Sequence, residues 1–221
     1  LPIVTYATNE ELGEGNITFT RTGGTQDPDS PHVVNLSGQR LKQGTRYDET
    51  FESDLQLKDG SVYSISFGAQ DMAGNIATDV SIQDITFDSS APKLSITSPL
   101  SPTFTNDLMV EYSTNENLSK GVIFVERTGG PNDSSSPHEV ELVDGQLIKS
   151  SKISLNLSQQ LNLVSNAVYR IYIEGLDVAG NEGKSDMVES ITFDNVPPEI
   201  SITSPAVESF INAPVLGLKA N

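Results

Sequence analysis

Tyr63-Ser64-Ile65-Ser66-Phe67-Gly68-Ala69-Gln70, running into Asp71-Met72-Ala73-Gly74-Asn75, is the stretch whose reading decides the fold. Tyr63, Ile65, Phe67 and Ala69 alternate with small or polar residues, the period of two of a strand with one buried face. The five residues that follow carry turn chemistry. An aspartate accepts hydrogen bonds from nearby loop amides, and Gly-Asn tolerates positive backbone φ in a tight hairpin. The same strand and turn return 106 residues later as Tyr169, Ile171, Ile173 and Gly175, then Asp177-Val178-Ala179-Gly180-Asn181. Working outward, Thr8-Asn9-Glu10 returns as Thr114-Asn115-Glu116, and Arg21-Thr22-Gly23-Gly24 as Arg127-Thr128-Gly129-Gly130. Thr86-Phe87-Asp88 returns as Thr192-Phe193-Asp194, and Ser95-Ile96-Thr97-Ser98-Pro99 as Ser201-Ile202-Thr203-Ser204-Pro205. The offset never changes, so the units align without net insertion, and a period this long is a whole small domain.

Further short runs complete each unit: Val4/Tyr6 and Leu108/Val110/Tyr112, then Ile17/Phe19 and Ile123/Val125, and a last strand ending in Ile85-Thr86-Phe87 or Ile191-Thr192-Phe193. All are bounded by Gly, Asn, Asp, Ser or Pro, and no helical period competes with them. About seven short strands in roughly 100 residues predict an all-β chain of tandem immunoglobulin-like antiparallel β-sandwiches. Tyr63 and Tyr169 each open the penultimate strand after a polar turn, Lys58-Asp59-Gly60 or Val164-Ser165-Asn166. That is the place of a corner tyrosine whose hydroxyl ties back to the preceding turn. One stretch is longer than such a repeat needs, Pro28 to Leu57 with its counterpart Ser134 to Leu163.

Composition narrows the partners. The 221 residues carry a formal charge of −17, which repels phosphate backbones and offers no basic patch to an anionic membrane. Nucleic-acid binding and membrane insertion are therefore not expected of this segment, and no apolar run is long enough to span a bilayer. The acidity has two readings, solubility or carboxylate clusters for divalent cations. Without cysteine there are neither disulfides nor thiolate metal sites.

The chain resembles the tandem immunoglobulin-like repeats of large bacterial surface and adhesin proteins. Many of these carry Asp-x-Ala-Gly-Asn before the last strand and an Asp-Thr-Thr-Ala-Pro-like junction into the next repeat. The junctions here are Asp88-Ser89-Ser90-Ala91-Pro92 and Asp194-Asn195-Val196-Pro197-Pro198, the second departing from that pattern. The resemblance implies an extracellular, cell-surface location and a structural role. It says little about a ligand, because fold does not fix function.

In such a sandwich the Asp-x-Ala-Gly-Asn loop lies at the pole where the chain enters, and the last strand leaves at the other pole. Asp71 and Asp88 are separated by a strand of about seven residues, roughly 23 Å at about 3.3 Å per residue, so they cannot share an ion. Asp88 can instead meet the second unit's Asn115, Glu116, Asp177 and Asn181, a set of oxygens that suits Ca2+. By the same logic Asp194 awaits a following unit, where Asn221 repeats Asn115, and Glu10 and Asp71 await an aspartate from a preceding one. The competing reading is that each aspartate only organises its own turn.

Enzymatic chemistry finds no support. His32 and His138 are equivalents, one per unit, and read as loop or strand-edge residues without a paired nucleophile or ligand spacing. Arg21 and Arg127 end equivalent strands and are expected to make an internal ion pair. Aligning the ends gives residues 1–90 as a repeat lacking its first strand, 91–196 as a complete repeat and 197–221 as the first two strands of a third. The expected role is a spacer or stalk whose partners are neighbouring repeats, with Ca2+ stiffening the junctions. Two alternatives stand beside it. One is a filament or surface-layer subunit joined head to tail, residues 199–212 of one molecule completing the first domain of the next. The other is a carbohydrate- or protein-binding module, which requires an exposed aromatic platform.

Overall fold

The computed structural model describes residues 3–50, 55–204, 210, 212 and 217–220. The chain divides into two compact units, one of Leu1–Ala91 with Val178–Asn181, the other of Pro92–Asp177 with Glu182–Asn221. The first holds β1 (Ile3–Thr8), β2 (Leu12–Gly24), β3 (His32–Asn35), β4 (Gly44–Thr50), β5 (Ser61–Asp71) and β6 (Val80–Phe87). The second holds β7 (Leu94–Ser98), β8 (Thr103–Thr105), β9 (Met109–Thr114), β10 (Leu118–Gly129), β11 (His138–Glu141), β12 (Ser150–Asn156), β13 (Ala167–Asp177), β14 (Glu182–Lys184) and β15 (Val188–Phe193). It also holds β16 (Ile200–Ser204) and β17 (Gly217–Ala220), which pair with each other. The chain is thus all-β, in tandem immunoglobulin-like sandwiches.

In the second unit one sheet runs β12-β9-β7 and the other β11-β10-β13-β15-β8, with β14 beside β13. Alternation along the strands puts Val110 and Tyr112 of β9 against Ile123 and Val125 of β10 and Tyr169, Ile171 and Ile173 of β13. All seven are sealed from solvent in one core. The first unit builds the same layers from β1-β4 and β3-β2-β5-β6, around a smaller core of Tyr6, Ile17, Phe19, Val34, Leu36, Leu55 and Tyr63.

One pairing departs from the antiparallel expectation, because β8 runs parallel to β15. Pro99 and Pro102 lie between β7 and β8. Neither ring can donate to a ladder, so the chain leaves the first sheet at β7 and crosses to the edge of the second. The long stretches after the Gly-Gly turns also make a crossing. In the second unit β11 pairs with β10 in one sheet and β12 with β9 in the other. Between them the Tyr112 hydroxyl donates to the Gln146 carbonyl at 2.6 Å, as Tyr6 does to Arg40 at 2.8 Å in the first repeat.

Among the described residues Arg21 and Arg127 do not make the expected ion pairs. Arg21 donates to the Thr25 and Gly24 carbonyls, both at 2.6 Å, and Arg127 to those of Pro131 and Gly130. The Gly-Gly turn points its carbonyls back at the strand end, and a planar guanidinium collects two of them at once. Gly24 and Gly130 are held at φ +67° and +71°.

At Gly130 a Cβ would stand 2.3 Å from the Asn166 carbonyl oxygen, whereas one at Gly145 would meet nothing within 4 Å. Gly130→Ala is therefore expected to destabilise the second unit by about 1–3 kcal/mol, from left-handed strain plus the clash. Gly145→Ala should stay within about 0.5 kcal/mol of the parent. Urea unfolding of the two variants checks both.

Candidate functional site

The acidic residues singled out by the sequence divide between the two units. In the first, Asp71 is wholly engaged by its own turn. One carboxylate oxygen accepts the Ala73 and Asn75 amides, each at 2.8 Å, and the other accepts the Asn75 side-chain amide at 2.7 Å. These bonds, that of the Asn75 side chain foremost, hold its carboxyl below the ordinary 3.8. Glu10 is exposed and lines the same open groove as Asp71 and Asn75. Asp88, half-buried after β6, accepts the Ser90 amide at 3.1 Å on its carboxylate, and its carbonyl accepts the Asn181 side-chain amide at 3.2 Å.

In the second unit Leu118 lies opposite Asp177 in the β10–β13 ladder. That register brings the loop before β10 to the end of β13, and the carboxylate oxygens of Glu116 and Asp177 lie within 4.8 Å of each other. Asp177 is 1% exposed, and its carbonyl accepts the Ser119 hydroxyl at 2.5 Å. Asn115, beside Glu116, turns its side-chain oxygen to the Lys93 amide at 2.6 Å and so fastens the start of β7 to the end of β9. Asp194 is bound locally, by the Ser165 hydroxyl at 2.8 Å and the Val196 amide at 3.1 Å, which lower its carboxyl below 3.8. Its proposed counterpart Asn221 lies outside the described residues.

The sequence reading missed a buried polar network, present in both repeats. Asp133 accepts the Tyr169 hydroxyl and faces the His138 Nε2, both at 2.7 Å on one oxygen, and takes the Ser135 amide at 3.0 Å on the other. Tyr169 in turn accepts the Val164 amide at 2.9 Å, the back-bond expected of a corner tyrosine. Asp27, Tyr63, His32 and Lys58 repeat this arrangement, with the Tyr63–Asp27 and His32–Asp27 contacts both at 2.6 Å. His138 heads β11, at the edge of its sheet, and is nonetheless a buried partner of a carboxylate, 7% exposed. The signal was there: an aspartate stands five residues before each histidine, in Asp27-Pro28-Asp29-Ser30-Pro31-His32 and Asp133-Ser134-Ser135-Ser136-Pro137-His138. Burial pushes the Asp133 carboxyl up, but the bonds from His138, Tyr169 and the Ser135 amide outweigh it and leave it below 3.8. Burial drives the Tyr169 hydroxyl up to about 12.

An aromatic pair was also missed. Phe124 and Tyr172, opposite each other on β10 and β13, stack at 4.9 Å with 12° between their planes. Lys184 sits over the Tyr172 ring at 3.9 Å, and Glu126 accepts the Tyr172 hydroxyl at 2.8 Å and Arg170 Nε at 2.6 Å. Tyr172 is only 8% exposed, so its ring is covered by its own neighbours rather than offered as a flat platform. Thr18 and Ser66 hold the equivalent positions in the first repeat.

No family model matches this chain, and no curated protein does. Among solved structures it is similar to one described as "Structural insight into host cell surface retention of a 1.5-MDa bacterial ice-binding adhesin". The TM-score is 0.38 at 13% identity, over 91% of this chain and 62% of that one. It is also similar to the FN1–FN3 domains of chicken CNTN1, with a TM-score of 0.36 at 13% identity, over 82% of this chain and 56% of that one. The chain thus spans less than two thirds of either. Among the described residues no helix is long and apolar enough to cross a membrane.

The network sets an acid limit on stability. Because the Asp133 carboxyl is lowered on folding, its contribution is complete above the unfolded value near 3.8 and is lost as pH falls through the folded one. Asp133→Asn should flatten the loss of melting temperature on acidification below pH 4 relative to the parent. Tyr169→Phe, which strands the Val164 amide and the Asp133 carboxylate, should cost about 1–3 kcal/mol at neutral pH. Melting curves across pH 2–7 read both.

Proposed function

We propose that this chain is a non-enzymatic spacer segment of a bacterial cell-surface protein, its repeats setting reach and Ca2+ stiffening the junctions between them. The observation that carries the reading is that both units end in the same locally fixed way. Asp88 accepts the amide two residues on, Ser90, and Asp194 accepts that of Val196. Behind each lies a bond from the turn before the penultimate strand. In the first repeat Asp59 accepts Ser89 and Ser90, and in the second the Ser165 hydroxyl donates to Asp194 and accepts the Asn195 amide. A module that delivers its outgoing chain in one fixed conformation suits a periodic array.

Glu116 and Asp177 give the Ca2+ reading its support. Two carboxylates held so close repel each other, and a cation shared with them offsets that cost. Asp88 precedes Lys93 by five residues, and Asn115 anchors Lys93 to the loop that carries Glu116. Chain connectivity therefore keeps Asp88 within about 18 Å of that loop's anchor, even fully extended. Asn181 supplies the amide oxygen of the proposed set, and Asp194 the first ligand of the next junction. At Asp71 the turn itself uses both carboxylate oxygens.

Calcium at about a hundred times its dissociation constant should stabilise the chain by about 2.7 kcal/mol. The melting temperature should rise over that in chelator, Asp177→Asn should abolish the rise, and Asp71→Asn should leave it intact. Equal melting in calcium and chelator defeats the cation. The spacer reading is tested separately by small-angle scattering of chains with two, four and six repeats, whose maximum dimension should grow by a constant step.

A further inference from the structure

We propose that β11, the outer edge of the larger sheet in the second unit, binds an extended peptide with basic residues at alternate positions. Among the described residues β11 pairs only with β10, through Val122↔Glu141, Ile123↔Val140, Phe124↔Glu139 and Val125↔His138. Just beyond it Leu142 gives its amide to the Gly121 carbonyl at 2.8 Å. Alternation along an antiparallel ladder then turns the amides and carbonyls of His138 and Val140 toward β10, and those of Glu139 and Glu141 away from the sheet. The same two glutamates send their side chains to the solvent face, where both are exposed. The edge therefore offers two backbone donors, two backbone acceptors and two carboxylates in one line. Strand addition draws its affinity from such backbone groups and its specificity from the alternate side chains.

The choice of a basic occupant rests on what already lies on this face. Phe124 and Tyr172 stack, and from the far side of β13 Lys184 sets its ammonium 3.9 Å from the centre of the Tyr172 ring and 2.7 Å from Glu174. One side of the stack thus ends in a cation held by a ring and a carboxylate. On the other side stand Phe124 and, opposite it on β11, Glu139, with Glu141 two residues on. Neither of these carboxylates has a cationic partner among the described residues, whereas Glu126 is paired with Arg170. A lysine or arginine opposite Glu139 pairs with its carboxylate and is long enough to reach the Phe124 ring, and a second pairs with Glu141. Beside the ring opens a groove of about 530 Å³, lined by Val122, Phe124, Leu176, Glu139 and Glu174, which takes the apolar stem of the incoming side chain. Lys120 also lines the groove, but it stands four residues from Phe124 along β10, about 13 Å away and beyond the screening length of about 8 Å at physiological salt. The first repeat is an internal control. Val33 and Asn35 hold the two edge positions there and Thr18 replaces the ring, so charge and aromatic are both missing. A need only to guard an open edge with charge would fall on both repeats alike. The site depends neither on calcium nor on the spacer reading.

The register gives the test. The 221-residue chain is titrated, in chelator, with the end-blocked peptide Lys-Val-Lys-Val-Lys, and both heat and amide hydrogen exchange are followed. One peptide should bind per chain. Exchange should slow at the Glu139 and Glu141 amides and stay unchanged at those of His138 and Val140, which are already bonded within the sheet. Glu139→Val with Glu141→Asn, which installs the residues of the first repeat, should weaken binding about tenfold, and Phe124→Thr should weaken it by a smaller factor. Glu14→Gln with Asp79→Asn, an equal loss of charge at exposed positions of the first unit, should leave it unchanged. The inference is overturned by an absence of binding, which leaves Glu139 and Glu141 as guards of the edge. Equal binding of Lys-Lys-Lys-Val-Val or of spermidine also overturns it, since the contact is then a general attraction to a chain of charge −17. So does binding that the Glu139 and Glu141 substitutions leave intact, or that slows neither amide.

Discussion

A single buried hydroxyl ties together separate stretches of this fold. Tyr169 lies near the start of β13, the central strand of the larger sheet. Its oxygen takes the Val164 amide from the turn before it and gives its proton to Asp133 from the segment between β10 and β11. His138, at the head of β11, completes the shell around the carboxylate. Two stretches distant in sequence, 133–138 and 164–169, are thereby fixed at one point beneath the end of the sandwich. A buried carboxylate is costly unless each oxygen is satisfied, so the arrangement is all or nothing. Its return around Asp27 shows that both repeats are built on this constraint.

Much of the architecture could be read before the structure, because the period of two is a direct image of burial. Tyr169, Ile171 and Ile173 alternate in the sequence and are all sealed in the core, and Tyr63 follows them in the first repeat. What escaped the reading involves groups brought together from separate elements. The partners Asp133 and His138 sit on the far side of a turn, and no local pattern says that both face Tyr169. The parallel pairing of β8 was hidden because a three-residue strand carries almost no periodicity. Ser185 was silent for another reason. It is buried, its hydroxyl accepts the Ile173 amide at 2.9 Å where the chain passes from β14 toward β15, and only the register of that switch makes a serine necessary.

The candidate site was legible as residue types and not as roles. Asp71 and Asp177 occupy equivalent positions in Asp-x-Ala-Gly-Asn turns, yet the first is half-buried and the second is 1% exposed and close to Glu116. The solvent face of the larger sheet diverges in the same way. The second repeat sets Phe124 on Tyr172 under Lys184, where the first has threonine and serine. Interior positions answer to one packing problem and stay alike. Exterior and polar positions answer to whatever adjoins them, which a repeat of the motif does not encode.

The turn before the penultimate strand shows how tightly the outgoing chain is nonetheless controlled. Gly60 and Asn166 are equivalents, at φ +72° and +62°, and glycine and asparagine are residues that enter this region at low cost. Their neighbours have exchanged functions. In the first repeat the turn supplies the acceptor, Asp59, and the junction supplies hydroxyl donors. In the second the junction supplies the acceptor, Asp194, and the turn supplies the hydroxyl of Ser165. Two opposite distributions of donor and acceptor therefore yield the same tether between turn and exit. Each tether is made by the module that the chain is leaving, and at the first exit the Asp88 carbonyl also accepts the Asn181 side-chain amide.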